Sequence, residues 1–242
     1  MRCLVLLFCL SVASAADASL APTNAQLGDA LKGADYATAI GLLDKIDELY
    51  GPAAAADQKE ALKQIAKAAR SKDLRTRHAA FSALGELRVK GSSKYLRRWL
   101  SPPKKAKTSH VEAIRAAGRI ADRSTLNTLQ KQVKHKDIEV AVAATMALGG
   151  FAALKPGRRK TLAFDLIQRM EQLTNMSGGG RGRRMTEAQA RADPVFAAEI
   201  ERRERLGVAG VMALQQLTGE TLRTLKGWKR WSKKWKNKNP WK

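Results

Sequence analysis

The side chains able to do covalent or metal chemistry are few. The three histidines, His78, His110 and His135, never pair at the spacing by which helices and turns present metal ligands. No Ser-His-acid order, glycine-framed serine or carboxylate pair stands out, so the patterns of nucleophilic and glycosidic catalysis are missing. Both cysteines, Cys3 and Cys9, lie in the first ten residues. The titratable inventory therefore predicts a protein that is not an enzyme and holds no cofactor or metal. What the chain offers instead is charge. It carries 45 Lys and Arg against 22 Asp and Glu, a net +23. Such a field attracts polyanions: nucleic acid, anionic lipid, acidic polysaccharide or acidic protein.

The cations are not spread evenly. Residues 16–70 carry net −2, residues 71–170 net +15 and residues 171–242 net +9. Within 71–170 the cations gather in turns. Lys104, Lys105 and Lys107 form one group, and Arg158, Arg159 and Lys160 another. The C-terminal stretch interleaves Trp228, Trp231 and Trp235 with Lys229, Arg230, Lys233 and Lys234. The three tryptophans are spaced three and four apart, on one face of a helix. That face either caps the end of the fold, since tryptophan buries a large area, or joins the cations in an anionic interface. The Lys and Arg residues named here are the candidate anion-binding positions.

The elements that position these groups follow from repetition. Aligning the chain on Gly85, Gly118 and Gly149 gives steps of 33 and 31 residues. Five residues before each glycine is an alanine (Ala80, Ala113, Ala144), and two before is another (Ala83, Ala116, Ala147). Two after comes Leu87, Ile120 or Phe151. These spacings lay one apolar stripe along a helix. A second apolar helix follows each copy, through Leu96 and Leu100, Leu129 and Val133, then Leu162 and Leu166. Each unit is helix, turn, helix, and must stack on its neighbours to bury its apolar face. In such a stack equivalent turns align, so both edges are expected to form basic ridges. Asp73 and Asp137 read as helix N-caps. His78 and His110, one position apart in the alignment, read as surface or groove residues.

The Ala-Ala-x-x-Ala-Leu-Gly cores, Ala79 to Gly85 and Ala143 to Gly149, with the preceding Asp73 and Asp137, resemble HEAT repeats. They are closest to the short bacterial HEAT-like repeats also found in phycobilin lyases. The middle copy departs from the pattern at Ala117, where leucine is usual. Leu217-Thr218-Gly219 followed by Trp228 and Trp231 resembles a terminal element of secreted bacterial HEAT-repeat proteins, though Lys226-Gly227 replaces its acidic or asparagine position. The resemblance implies an all-α, armadillo-like solenoid of stacked two-helix repeats with a C-terminal helical cap. It implies a scaffold or adaptor, with a lyase as the enzymatic alternative.

The expected organisation follows. Arg2, the apolar run Cys3 to Leu10 and Ala13-Ser14-Ala15 predict a cleavable signal peptide over 1–15, hence a secreted or periplasmic protein. Residues 16–34 are expected as a flexible lead-in and 35–176 as the repeat array. Residues 177–185 form a Gly/Arg linker. Residues 186–242 form a helical Trp- and Lys-rich segment, with Thr186 and Gln189 as a capping box, Pro194 restarting a helix, and a stripe of Val208, Val211, Leu214 and Leu217 stopped at Gly219. The expected function is an exported binding scaffold for an acidic protein or anionic envelope polymer. An anionic membrane surface is a further possible partner, and nucleic acid is the alternative polyanion.

Overall fold

The structure is a computed structural model that describes residues 19–101, 107–175, 193–238, 240 and 241. The expected leader, Lys104, Lys105, the Gly/Arg linker and the Thr186–Gln189 pair lie outside these residues.

Every regular element among the described residues is helical. In chain order they are α1 (Leu20–Lys32), α2 (Tyr36–Leu43), α3 (Ile46–Tyr50), α4 (Ala55–Ala68), α5 (Leu74–Leu87), α6 (Arg97–Leu100), α7 (Lys107–Ile120), α8 (Arg123–Gln132), α9 (Ile138–Gly149), α10 (Pro156–Asn175), α11 (Pro194–Thr218) and α12 (Leu225–Trp235). Short 3-10 turns, Ser92–Tyr95 and Gly150–Ala153, precede α6 and α10.

The helix starts are chemical. Asp73 accepts from the Thr76 amide at 2.7 Å, and Asp137 from the Glu139 amide at 3.0 Å, as their positions predict. Asp35 and Asp122 do the same for Thr38 and Ser124. Pro194 occupies the first position of α11, where its missing N–H costs nothing. The ends repeat as well. Arg88 and Ala121, 33 residues apart, both adopt left-handed backbone just after α5 and α7 (φ 49° and 50°). A non-glycine residue there costs on the order of 1 kcal/mol, so the same strained exit is made twice. Gly219, at φ 78°, closes α11 without that cost.

Helices α2, α5, α7, α9 and α11 pack in succession, each on the next. The contacts are made through small residues. A methyl group built on Gly85 would lie 3.3 Å from the Ala116 Cα of α7, and one on Gly118 would lie 2.6 Å from the Ala147 Cα of α9. One on Gly149 would lie 3.0 Å from the Ala213 Cα of α11. Each glycine therefore faces an alanine backbone of the following helix. The flanking stripe is buried: Ala80, Leu84, Ala113, Ala117, Ala144, Leu148 and Phe151 are at most 1% exposed. The second helices lie behind this row. There α6 meets α8, α8 packs on α9, and α10 carries α12.

Three expectations change. The stretch expected as a flexible lead-in holds α1, whose Leu20 and Leu27 are buried against α2 and α4. Asn24 fastens it by donating to the Asp57 carbonyl at 2.9 Å. The C-terminal segment also joins the row of packed helices: α11 lies on α9, in contact with Gly149. Val208 leaves the apolar stripe and is 62% exposed, because Leu206, Ala209, Ala213 and Leu217 form the packed face of α11.

Close approach gives a direct test. Alanine is the better helix former by about 1 kcal/mol. Gly118→Ala nevertheless destabilises the fold by about 2 kcal/mol, because its methyl overlaps Ala147. Gly157→Ala, with open space around it, is neutral or slightly stabilising. Urea denaturation of the two variants should show opposite shifts.

Candidate functional site

The C-terminal end is built from α10, the loop after α11, and α12. Thr224 caps α12, its hydroxyl accepting from the Gly227 amide at 3.1 Å. The helix has two opposed faces. At about 100° per residue, Lys226, Lys229, Arg230, Lys233 and Lys234 fall within an arc of about 140°, and the three tryptophans fall opposite. The tryptophan face is consumed by the fold. Trp228 is fully buried and Trp231 is 6% exposed. Trp231 meets Phe164 of α10 edge-on at 5.9 Å, Trp228 at 5.7 Å and Trp241 at 6.1 Å. Its indole N–H donates to Glu220 at 3.2 Å, and that of Trp241 donates to the Thr218 carbonyl at 3.3 Å. Trp235 is half-buried at the rim. These three residues thus sit as a cap on α10.

The cation candidates divide by partner. Lys160 donates to the Lys236 and Lys238 carbonyls at 2.9 and 2.7 Å, tying the start of α10 to the end of α12. Arg159 donates to the Ala152 carbonyl and stacks on Trp241 at 3.9 Å. Lys229 pairs with Glu171 at 3.6 Å, and Lys107 pairs with Asp137 at 2.6 Å. Arg158, Arg230, Lys233 and Lys234 stand exposed, with the Lys234 ammonium over the Trp235 ring at 5.1 Å. No Asp or Glu follows Glu220 in the sequence, while residues 221–242 hold nine Lys and Arg. Apart from the Lys229–Glu171 pair, the positive charge along α12 is therefore uncompensated within its own segment.

The row of first helices presents a different surface. A groove of about 520 Å³ lies between α7, α9 and α11, lined by Arg88, Arg115, Arg119, Glu139, Met146 and Gln216 among others. Two of the arginines lining it, Arg115 and Arg119, and Arg205 beside it have carboxylate partners across or along the helices. Arg119 pairs with Glu86, Arg115 with Glu112, and Arg205 with Glu139 at 2.6 Å. Beside it Val142, Met146, Val208 and Met212 line an apolar hollow of about 310 Å³. This surface was missed from sequence. The available signal was apolar residues on both sides of α11.

Asp122 was also missed. Besides capping α8 it accepts from the Ser93 hydroxyl at 2.6 Å and the Gly91 amide at 3.0 Å, joining α8 to the preceding turn. These bonds to the charged form, Ser93 first, pull its carboxyl down to about 2.

The histidines correct one expectation. His110 is 5% exposed, not on the surface, with Nε2 bonded to the Leu100 carbonyl at 3.1 Å. It meets His135 edge-on at 5.7 Å. His78 lies 3.5 Å from the Ser109 hydroxyl, but Ser109 is 1% exposed and accepts from Arg77 at 2.9 Å. That contact joins α5 to α7 as a structural link. Among the described residues no group of three His, Cys, Asp or Glu side chains could hold a metal ion, and no helix is long and apolar enough to cross a membrane.

No protein-family model matches the chain, and no curated protein matches it significantly. The site must be argued from its own geometry.

Two outcomes follow. Removing Trp231 by substitution to alanine opens a large cavity at the cap and costs about 3–5 kcal/mol in chemical denaturation. Burial lowers the proton affinity of His78 and His110 below the ordinary 6.5. The unfolded chain then binds protons that the folded chain refuses. Stability is full above 6.5 and falls as pH drops from there towards the lowered folded values. The thermal midpoint should decline over that window, and His110→Gln should flatten the decline.

Proposed function

We propose that this chain is an exported, non-enzymatic scaffold of stacked HEAT-type repeats that engages an acidic partner, either an acidic protein or an anionic polymer of the cell envelope. The repeat reading is supported by three features that recur along the chain: glycine-to-alanine contacts between successive helices, aspartate caps at Asp73 and Asp137, and left-handed exits at Arg88 and Ala121. The Leu217-Thr218-Gly219 turn and the Trp228–Trp231 pair add the resemblance to secreted HEAT-repeat proteins. Export rests on the leader pattern at 1–15.

The observation that carries the binding reading is the split between paired and unpaired charge. Arg115 and Arg119 in the groove and Arg205 beside it have carboxylate partners within the protein. On α12 Lys229 pairs with Glu171, while Lys226, Arg230, Lys233 and Lys234 face outward with no acid after Glu220. Holding like charges together on one helix costs self-repulsion, which a polyanion relieves. Tryptophan stacking on unpaired bases is closed off, since Trp228 and Trp231 are buried.

The test is binding of poly-glutamate, followed by fluorescence anisotropy across a salt series. Affinity should fall log-linearly with salt. Duplex DNA of equal charge should bind no more tightly. Strong preference for DNA would replace the envelope reading with a nucleic-acid one. Failure to bind either polyanion would leave the charge serving solubility alone.

A further inference from the structure

We propose that the outward face of α12 is a docking surface for a plane of anionic lipid headgroups, which it engages without inserting. The inference rests on the reading of an exported protein whose α12 cations engage an anionic partner, and it assigns that face to lipid rather than to a protein or polymer.

Three observations point to a plane. First, the cationic face belongs to a helix that lines neither of the grooves between α7, α9 and α11, so it is presented as an open face rather than a cleft. Second, the patch extends past the end of the helix. Lys160 holds the start of α10 against the carbonyls of Lys236 and Lys238, whose side chains stand exposed beyond Arg230, Lys233 and Lys234. The helix itself is about 16 Å long, so several headgroups can be met at once. Third, charge is polarised along the chain. Residues 16–70 carry net −2, and the basic excess lies in the later segments. An anionic surface would repel the first segment and attract the later ones, which turns residues 16–70 away from it.

The depth of binding follows from the tryptophans. An interfacial amphipathic helix lowers its apolar face into the acyl boundary. Here that face holds Trp228 and Trp231, buried against Phe164 and Trp241. Releasing it would open the cap on α10. Docking is therefore electrostatic, at headgroup level, and reversible by salt. Screening length shrinks from about 10 Å at 0.1 M salt to about 3 Å at 1 M, so contact should be lost over that range.

The experiment is vesicle co-sedimentation of the chain beginning at Ala16, which contains every described residue. The vesicles are phosphatidylcholine with about a third phosphatidylglycerol, against phosphatidylcholine alone. Binding is expected only to the anionic vesicles, with release at high salt and no blue shift of tryptophan emission. The triple substitution Lys226→Gln, Arg230→Gln, Lys233→Gln should weaken partitioning on the order of 100-fold, since each cation near an anionic surface contributes about a fivefold factor. The triple substitution Arg123→Gln, Lys131→Gln, Lys134→Gln removes the same charge from exposed positions around α8, and should change it far less. Equal loss in both variants would mean net charge alone and overturns the docking face. Salt-resistant binding with a blue shift means insertion and overturns the headgroup-level geometry. Binding of poly-glutamate without binding of anionic vesicles overturns the lipid inference while the scaffold reading stands. Binding of neither overturns both.

Discussion

The fold depends on how closely successive helices can approach. Gly85, Gly118 and Gly149 each lie against an alanine backbone of the following helix, and an added methyl at any of them meets backbone atoms at 3.3 Å or less. The tightest point is double: Gly150 also lies against the Gly118 carbonyl. Alanine contributes little apolar area by itself, so stability is not drawn from bulk at this seam. It is drawn from the larger residues beside it, because backbones held close let Leu84, Ile114, Leu148 and Phe151 pack almost fully buried. A fully buried leucine or phenylalanine contributes on the order of 1.5–3 kcal/mol, and only where packing is complete. The small residues thus set the distance at which the large ones work.

Polar links run parallel to that seam and fix the register between units. Arg77 reaches Ser109, Asp122 takes Ser93 and Gly91, and Arg202 donates to the His135 and Lys136 carbonyls. Each joins residues that are distant in sequence and lie in neighbouring layers. Hydrogen bonds of this sort are directional where apolar packing is not. A slip of one helical turn would leave buried groups such as Ser93 and Ser109, both at most 3% exposed, without partners.

Much of this was legible because it repeats. Five- and two-residue offsets from each glycine identify the packed stripe directly, and the aspartates before α5 and α9 announce the helix starts. What repetition could not carry was lost. Leu20, Leu27 and Leu31 form a docking stripe on α1, but that stripe has no counterpart among the glycine-aligned copies. Val208 is apolar and correctly spaced, yet α11 has apolar residues on more than one side, so periodicity alone picks the wrong face. His110 read as a surface or groove residue from its place beside His78 in the alignment. It is instead buried where α7 meets the end of α6, its Nε2 on the Leu100 carbonyl, which also accepts from Gln132. Which lysines are engaged was also unreadable, since Lys160 and Arg159 answer to carbonyls and a ring far along the chain.

The two faces of α12 constrain each other. Had the tryptophans been free, the same helix could have entered a bilayer or stacked on bases, and the cations would then be guides rather than the binding surface. Their burial removes both options and leaves charge as the only chemistry the helix presents outward. Burial also anchors the helix that carries the charge. The Lys160 ammonium, itself a cation, is spent on the carbonyls at the end of α12, and Arg159 on Trp241, so two positive groups hold a third set in place. Bringing like charges together in this way is unfavourable in isolation. It is sustained by the apolar cap beneath, where Trp228 and Trp231 bury large areas. A partner that neutralises the outer face would therefore stabilise the cap as well as bind to it, because any ligand favouring the folded state raises its stability by mass action.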